Sequence, residues 1–188
     1  MKLEWDACTV AFAGLAKEMW QPASAEMELP SVAREANFRL GELRSMATTL
    51  TSSGFDTRAA VVEKAILNLS ELMSSGNEQF ALHGDLHPYN VLSATRAPWL
   101  SIDPLGCIGE RAFDVCAILR DDSPELREAT DPQGMVDRRI RDLSAECNLD
   151  DRRVRAWSFV EAVRTQGWHY RTGKPLDQWS SIIGLLEP

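Results

Sequence analysis

Apolar positions along the chain change their spacing twice. Cys8, Phe12, Leu15 and Met19 recur at i, i+4, i+7 and i+11, one face of a helix that Pro22 bounds. A polar, proline-bounded link covers residues 21–30. Ser31 then stands as the N-cap of a second helix, with Val32, Ala36, Leu40, Leu43 and Ala47 on one face. Residues 51–54, Thr-Ser-Ser-Gly, break it. Asp56 is placed to cap a third helix that turns Val62, Ile66, Leu69 and Met73 inward and ends at Gly76 in a left-handed C-cap.

The period then shortens. Phe80 and Leu82 alternate with small or polar neighbours and run into His83. Val91 and Leu92 follow a polar turn, and Leu100 and Ile102 alternate again before Asp103. These read as short strands around loops rich in Gly, Pro, Asp and His. Beyond Pro104 the helical spacing returns. Phe113, Ala117 and Ile118 form one face; Val136, Ile140, Leu143 and Cys147 form another, opened by Asp131 and Pro132. Asp150 caps a helix through Val154, Trp157, Val160 and Val163, and a short last helix is expected from Leu176 to Leu186. The fold class is α+β and mostly helical, a single domain over residues 1–188 with a small β region between helical layers.

Composition narrows the function without choosing it. The chain carries 28 Asp+Glu against 20 Lys+Arg, a formal net charge of −8. That balance argues against a nucleic-acid partner, whose affinity comes from a basic surface. It suits a cationic substrate or a metal-bound phosphate. Cys8, Cys107, Cys116 and Cys147 have no CxxC spacing, so they read as reduced thiols of a cytoplasmic protein rather than zinc ligands. Glu4 and Asp6 precede the first apolar run, where a secretory signal carries positive charge. No run has the length needed to span a membrane.

The polar residues concentrate in one stretch: residues 83–90, His-Gly-Asp-Leu-His-Pro-Tyr-Asn, a short hairpin, then Ser101, Ile102 and Asp103. Asp85 and Asn90 lie five positions apart, and Asn90 and Asp103 thirteen. This is the order of parts in a kinase catalytic loop, H-x-D-L-x-x-x-N, with a strand pair and a metal-binding Asp behind it. Phosphoryl transfer needs a base beside the acceptor hydroxyl, and magnesium to neutralise the phosphates. Asp85 suits the base. Asn90 and Asp103 supply the neutral and charged oxygen ligands that Mg²⁺ prefers, and with them the nucleotide phosphates of ATP. His83 reads as the residue that shapes the loop. A competing reading makes His83, Asp85 and His87 a metal cluster of a hydrolase, which needs further histidines; only His169 remains.

These residues carry a resemblance. Residues 83–92, HGDLHPYNVL, with residues 99–103, WLSID, then Pro104-Leu105-Gly106 and residues 108–115, IGERAFDV, resemble the aminoglycoside and hydroxyurea phosphotransferases, within them the streptomycin 6-kinase group. The similarity is densest over residues 80–120. It implies the C-terminal lobe of a protein-kinase-like fold, with a β-hairpin region around the catalytic loop. It also implies transfer of a phosphate from ATP, with Mg²⁺, to an alcohol of a cationic aminoglycoside or a hydroxyurea-like acceptor, conferring antibiotic resistance. Asp85 and His83 match its catalytic loop, Asn90 and Asp103 its magnesium and nucleotide ligands, and Asp114 an acid that supports the loop from the following helix. Glu161 and Asp177 are candidate contacts to a cationic acceptor, and Trp157 and Trp168 candidate walls for it.

The N-terminal nucleotide lobe is expected to be missing. There is no G-x-G-x-x-G, and none of Lys2, Lys17, Lys64 or Lys174 is placed like a nucleotide lysine. The alternative reading is therefore a truncated, non-catalytic lobe acting as a binding module.

Overall fold

The computed structural model describes residues 5–76, 78–95, 97–120, 123–177 and 179–188. Lys2 and Glu4 lie outside them. Helix α1 (Trp5–Met19) leads through a two-residue strand β1 (Gln21–Pro22) and a loop to α2 (Ala36–Ser52) and α3 (Asp56–Ser75). Four short strands follow: β2 (Phe80–Leu82), β3 (Val91–Ser93), β4 (Trp99–Ser101) and β5 (Cys107–Gly109). The chain then returns to helix in α4 (Arg111–Val115), α5 (Pro124–Arg127), α6 (Pro132–Cys147), α7 (Asp151–Arg171) and α8 (Ser181–Leu186). The α+β, mostly helical reading holds.

Helices α2 and α3 pack on each other and close on α7, while α1 lies against α6. The centre is apolar: Leu43, Leu50, Leu69, Trp157 and Phe159 are fully buried. Trp157 meets Phe113 edge-on at 5.0 Å between ring centroids. One polar seam crosses this core. Glu161 of α7, 5 % exposed, takes Arg39 of α2 at 2.8 Å and Arg164 at 2.8 Å. Arg164 continues to Glu42 at 2.7 Å, so the two helices are tied by paired charges, each carboxylate shared between arginines.

The capping residues read from the sequence work as caps in α6 and α7. Asp131 accepts from Gly134 N at 2.9 Å and Asp150 from Arg152 N at 2.8 Å. Other expectations are corrected. The second helix starts at Ala36, not behind Ser31. Ile108 N donates to Pro30 O at 2.7 Å and Val32 N to Ile108 O at 2.8 Å, so this stretch is committed to β5. Val32 is buried there, where a Cβ on Gly109 would come within 2.9 Å of its Cγ2. Asp56 is the first residue of α3 rather than its cap. Gly76 ends α3 in an extended conformation, φ −83° and ψ 125°, not a left-handed one. Its lack of a Cβ serves close approach instead, since a methyl there would meet Leu72 O at 3.0 Å. The last helix is confined to Ser181–Leu186, because the carbonyls of Leu176 and Asp177 are taken by Arg58.

The β region is two small antiparallel sheets. One has the order β1-β2-β5, with Gln21 opposite Ala81 and Ala81 opposite Ile108. The other is the β3-β4 hairpin, with Leu92 opposite Leu100. Strand β2 therefore delivers His83, and β4 delivers Asp103, to the same end of the molecule.

Candidate active site

Four hydrogen bonds close a ring around the loop. Asp85 N donates to His83 Nδ1 at 3.3 Å, and His83 Nε2 donates to Ile102 O at 3.0 Å. Ile102 N donates to Asn90 O at 2.9 Å, and Asn90 Nδ2 donates to Asp85 O at 3.0 Å. Three of the four sequence-predicted site residues, His83, Asp85 and Asn90, are thus members of one frame. The fourth, Asp103, follows directly on Ile102. Both nitrogens of the buried His83 ring are in use, one accepting and one donating, which assigns the Nε2–H tautomer and removes His83 from any metal cluster. Among the described residues no three His, Cys, Asp or Glu side chains converge as a metal site.

The loop is anchored from beneath by Asp114 of α4, 1 % exposed. Its Oδ1 accepts from Gly84 N at 2.8 Å; its Oδ2 accepts from His83 N at 3.2 Å and Trp20 Nε1 at 2.9 Å. Burial pushes the Asp114 carboxyl above the ordinary carboxylate range, against the three N–H groups that draw it down. Gly84 must be glycine on two counts. Its φ is +83°, and a Cβ would meet Cys107 Sγ at 3.1 Å and Leu105 Cβ at 3.4 Å. Gly106 N donates to His83 O at 3.0 Å, so the two loops touch backbone to backbone.

Asp85 presents its carboxylate toward a guanidinium and an imidazole ring. Arg120 Nη2 donates to Oδ1 at 2.6 Å, and His87 Nε2 lies 3.4 Å from Oδ2. His87 also caps the following turn, its Nδ1 accepting from Tyr89 N at 3.2 Å. Asn90, 8 % exposed, commits its amide nitrogen to the Asp85 carbonyl, so that its oxygen is the atom it could offer a cation. Asp103 is exposed and holds φ +55°, a left-handed conformation unusual for a residue with a side chain and of the kind stored at functional sites. Its carboxylate makes no hydrogen bond among the described residues. Two oxygen ligands of this type fit Mg²⁺, which keeps several waters and takes phosphate oxygens to complete its shell.

A cleft of about 440 Å³ opens beside Arg120, the partner of Asp85. Tyr89, Arg120, Arg127, His169, Lys174 and Trp179 are among its walls. Sequence reasoning missed Arg120 as a partner of Asp85. Its one signal was position, at the end of the densest stretch of resemblance. The proposed acceptor contacts do not gather there. Glu161 is buried in the core seam, Trp157 is core with its Nε1 on Glu110, and neither they nor Asp177 and Trp168 line the cleft. Among the described residues no helix is long and apolar enough to cross a membrane.

Comparison with known proteins agrees on one class, the small-molecule antibiotic kinases. Residues 5–173 match the model of the aminoglycoside/hydroxyurea antibiotic resistance kinases, and the chain belongs to that family. It is 32 % identical over 140 residues to a streptomycin 6-kinase of Streptomyces griseus, covering 71 % of this chain and 45 % of the relative. It is 31 % identical over 116 residues to a streptomycin 3''-kinase of Klebsiella pneumoniae, covering 60 % and 43 %. With a hydroxyurea phosphotransferase of Kitasatospora aureofaciens it shares 33 % over 93 residues, covering 50 % and 25 %. The chain spans less than half the length of these relatives.

Proposed function

We propose that this chain carries the acceptor-side catalytic apparatus of a kinase that moves the γ-phosphate of ATP to an alcohol of a small molecule. Streptomycin and hydroxyurea, named by the relatives, are the first acceptors to test. The observation that carries the reading is the ring joining Asp85 to Asn90, with Asp103 one residue beyond it and Arg120, a wall of the neighbouring cleft, on the Asp85 carboxylate.

In this reading the acceptor hydroxyl sits in the cleft against Asp85. As its oxygen bonds to the γ-phosphorus, the bond from that phosphorus to the bridging oxygen breaks and ADP leaves. The hydroxyl proton passes to the Asp85 carboxylate. Arg120 keeps that carboxylate in place without occupying all of its lone pairs. Asn90 and Asp103 would hold Mg²⁺, which neutralises charge on the phosphate oxygens. His83 carries no proton in the reaction; its two ring bonds fix where Asp85 stands.

The test is transfer of labelled γ-phosphate from ATP to streptomycin and to hydroxyurea, by this chain and by a version extended upstream in its gene. Transfer is expected, with Asp85→Asn lowering kcat by about 10² to 10⁴. Full activity in Asp85→Asn removes the base assignment. An extended protein that phosphorylates neither acceptor, nor any other aminoglycoside, favours the binding-module reading instead.

A further inference from the structure

All the polar groups of His87 turn back onto the loop that holds Asp85. Its main-chain N–H donates to Asp85 O at 2.9 Å, and its carbonyl accepts from Asn90 N at 2.8 Å. On the ring, Nδ1 accepts from Tyr89 N at 3.2 Å, and Nε2 lies 3.4 Å from Asp85 Oδ2. A ring nitrogen that accepts a hydrogen bond carries no proton, so the neutral ring has its hydrogen on Nε2, the atom that faces the carboxylate. Tyr89 meets the same ring edge-on, with 5.9 Å between centroids, and only 20 % of the His87 side chain is exposed. The Nε2 contact is longer than a formed hydrogen bond, a separation common at catalytic groups before substrate arrives.

Asp85 is thus approached at both oxygens. Arg120 Nη2 donates to Oδ1 at 2.6 Å, and His87 faces Oδ2. A carboxylate held at one oxygen alone still turns about its Cβ–Cγ bond, a torsion with a broad profile. A second contact at the other oxygen fixes its plane. We infer that His87 is a positioning residue, whose Nε2–H sets the plane of the Asp85 carboxylate opposite Arg120 and keeps a lone pair of Oδ2 aimed at the acceptor hydroxyl. The inference rests on reading Asp85 as the base of a phosphotransfer site. His87 itself transfers no proton in this scheme. The residue type follows from the double task. Asn, Asp or Ser at this position can cap Tyr89 N but are too short to reach back to Asp85. Gln, Lys or Arg can reach back but carry no acceptor at the near atom. Imidazole carries the acceptor and the donor on one rigid ring.

Two conservative variants separate the two nitrogens. His87→Asn keeps an acceptor near Nδ1 and removes Nε2; His87→Gln keeps a donor near Nε2 and removes the cap. In the protein that transfers phosphate, this chain or its upstream extension, His87→Asn is expected to lower kcat by about tenfold to a hundredfold. KM for ATP and for the acceptor should stay within about twofold. His87→Gln should recover most of that loss, while hydrogen exchange at Tyr89 N speeds up by about tenfold. A role confined to the turn predicts the opposite order. The urea midpoint of His87→Asn should match that of the native chain. A second readout needs neither ATP nor acceptor. In NMR spectra of the intact chain, the carboxyl carbon resonance of Asp85 should move in His87→Asn and return toward its native position in His87→Gln. The ring nitrogen shifts of His87 should place its proton on Nε2. Native kcat in His87→Asn, a His87→Gln protein no faster than His87→Asn, a lowered urea midpoint in His87→Asn or a ring proton on Nδ1 each overturns the inference. The kinase reading fails separately, when neither form of the protein transfers phosphate. The carboxyl resonance then decides alone, and an Asp85 signal indifferent to His87→Asn removes the positioning role.

Discussion

Replacing Asp114 tests how the loop that carries Asp85 is held. In Asp114→Ala three N–H groups, of Gly84, His83 and Trp20, lose their acceptor. Each buried unsatisfied donor costs about 1–3 kcal/mol, and release of the carboxylate from its buried site offsets part of that. The net loss is expected at about 3 kcal/mol. Asp114→Asn retains one oxygen in place and should lose about half as much. Urea unfolding followed by circular dichroism at neutral pH reads both. The carboxyl is raised above its ordinary range, so the folded state holds this proton more tightly than the unfolded chain. Its contribution is full below the ordinary carboxylate pKa and is lost as pH rises through the raised value. The advantage of the native protein over Asp114→Asn should therefore grow as pH is lowered through that window. An Asp114→Ala protein within about 0.5 kcal/mol of the native one, or a difference that is flat with pH, refutes this account of the anchor.

Two further predictions concern the core. Glu161→Ala leaves Arg39 and Arg164 facing each other without their shared carboxylate, and should lower stability by about 3–5 kcal/mol in the same assay; a loss below about 1 kcal/mol contradicts the structural role. Burial pushes the Cys107 thiol up to about 12, so at pH 8 only about one molecule in 10⁴ carries the thiolate. Alkylation of Cys107, followed by mass spectrometry, should be slow in the native protein and fast in urea; rapid native labelling would contradict the raised thiol.

The sequence made the long elements legible because their signals are local. The apolar spacing of α1, α6 and α7 and the caps Asp131 and Asp150 each act within a few residues. That His83, Asp85 and Asn90 share one frame was legible for a related reason: they fall within eight positions, and their spacing is itself the geometry. Strands β1 and β5 were not legible. They have two and three residues, one is Gln-Pro, and they exist because β2 lies between them. Ser31 has the chemistry of a cap, yet the residues around it were claimed by Ile108, far along the chain. The cleft was hidden by the same cause. Arg120, Arg127 and Lys174 become neighbours only when α5 and the loop after α7 fold against the catalytic turn.

In the ring around Asp85, Ile102 takes part only through its main-chain N–H and carbonyl, while its side chain stands 41 % exposed. Every amino acid except proline brings those same two groups. Position 102 can therefore drift in evolution, trading one exterior surface for another, without moving the carboxylate and amide on either side. A lineage could retune what rests over this face by exchanging a single codon there, while the neighbouring His83 and Asn90 stay under strict constraint.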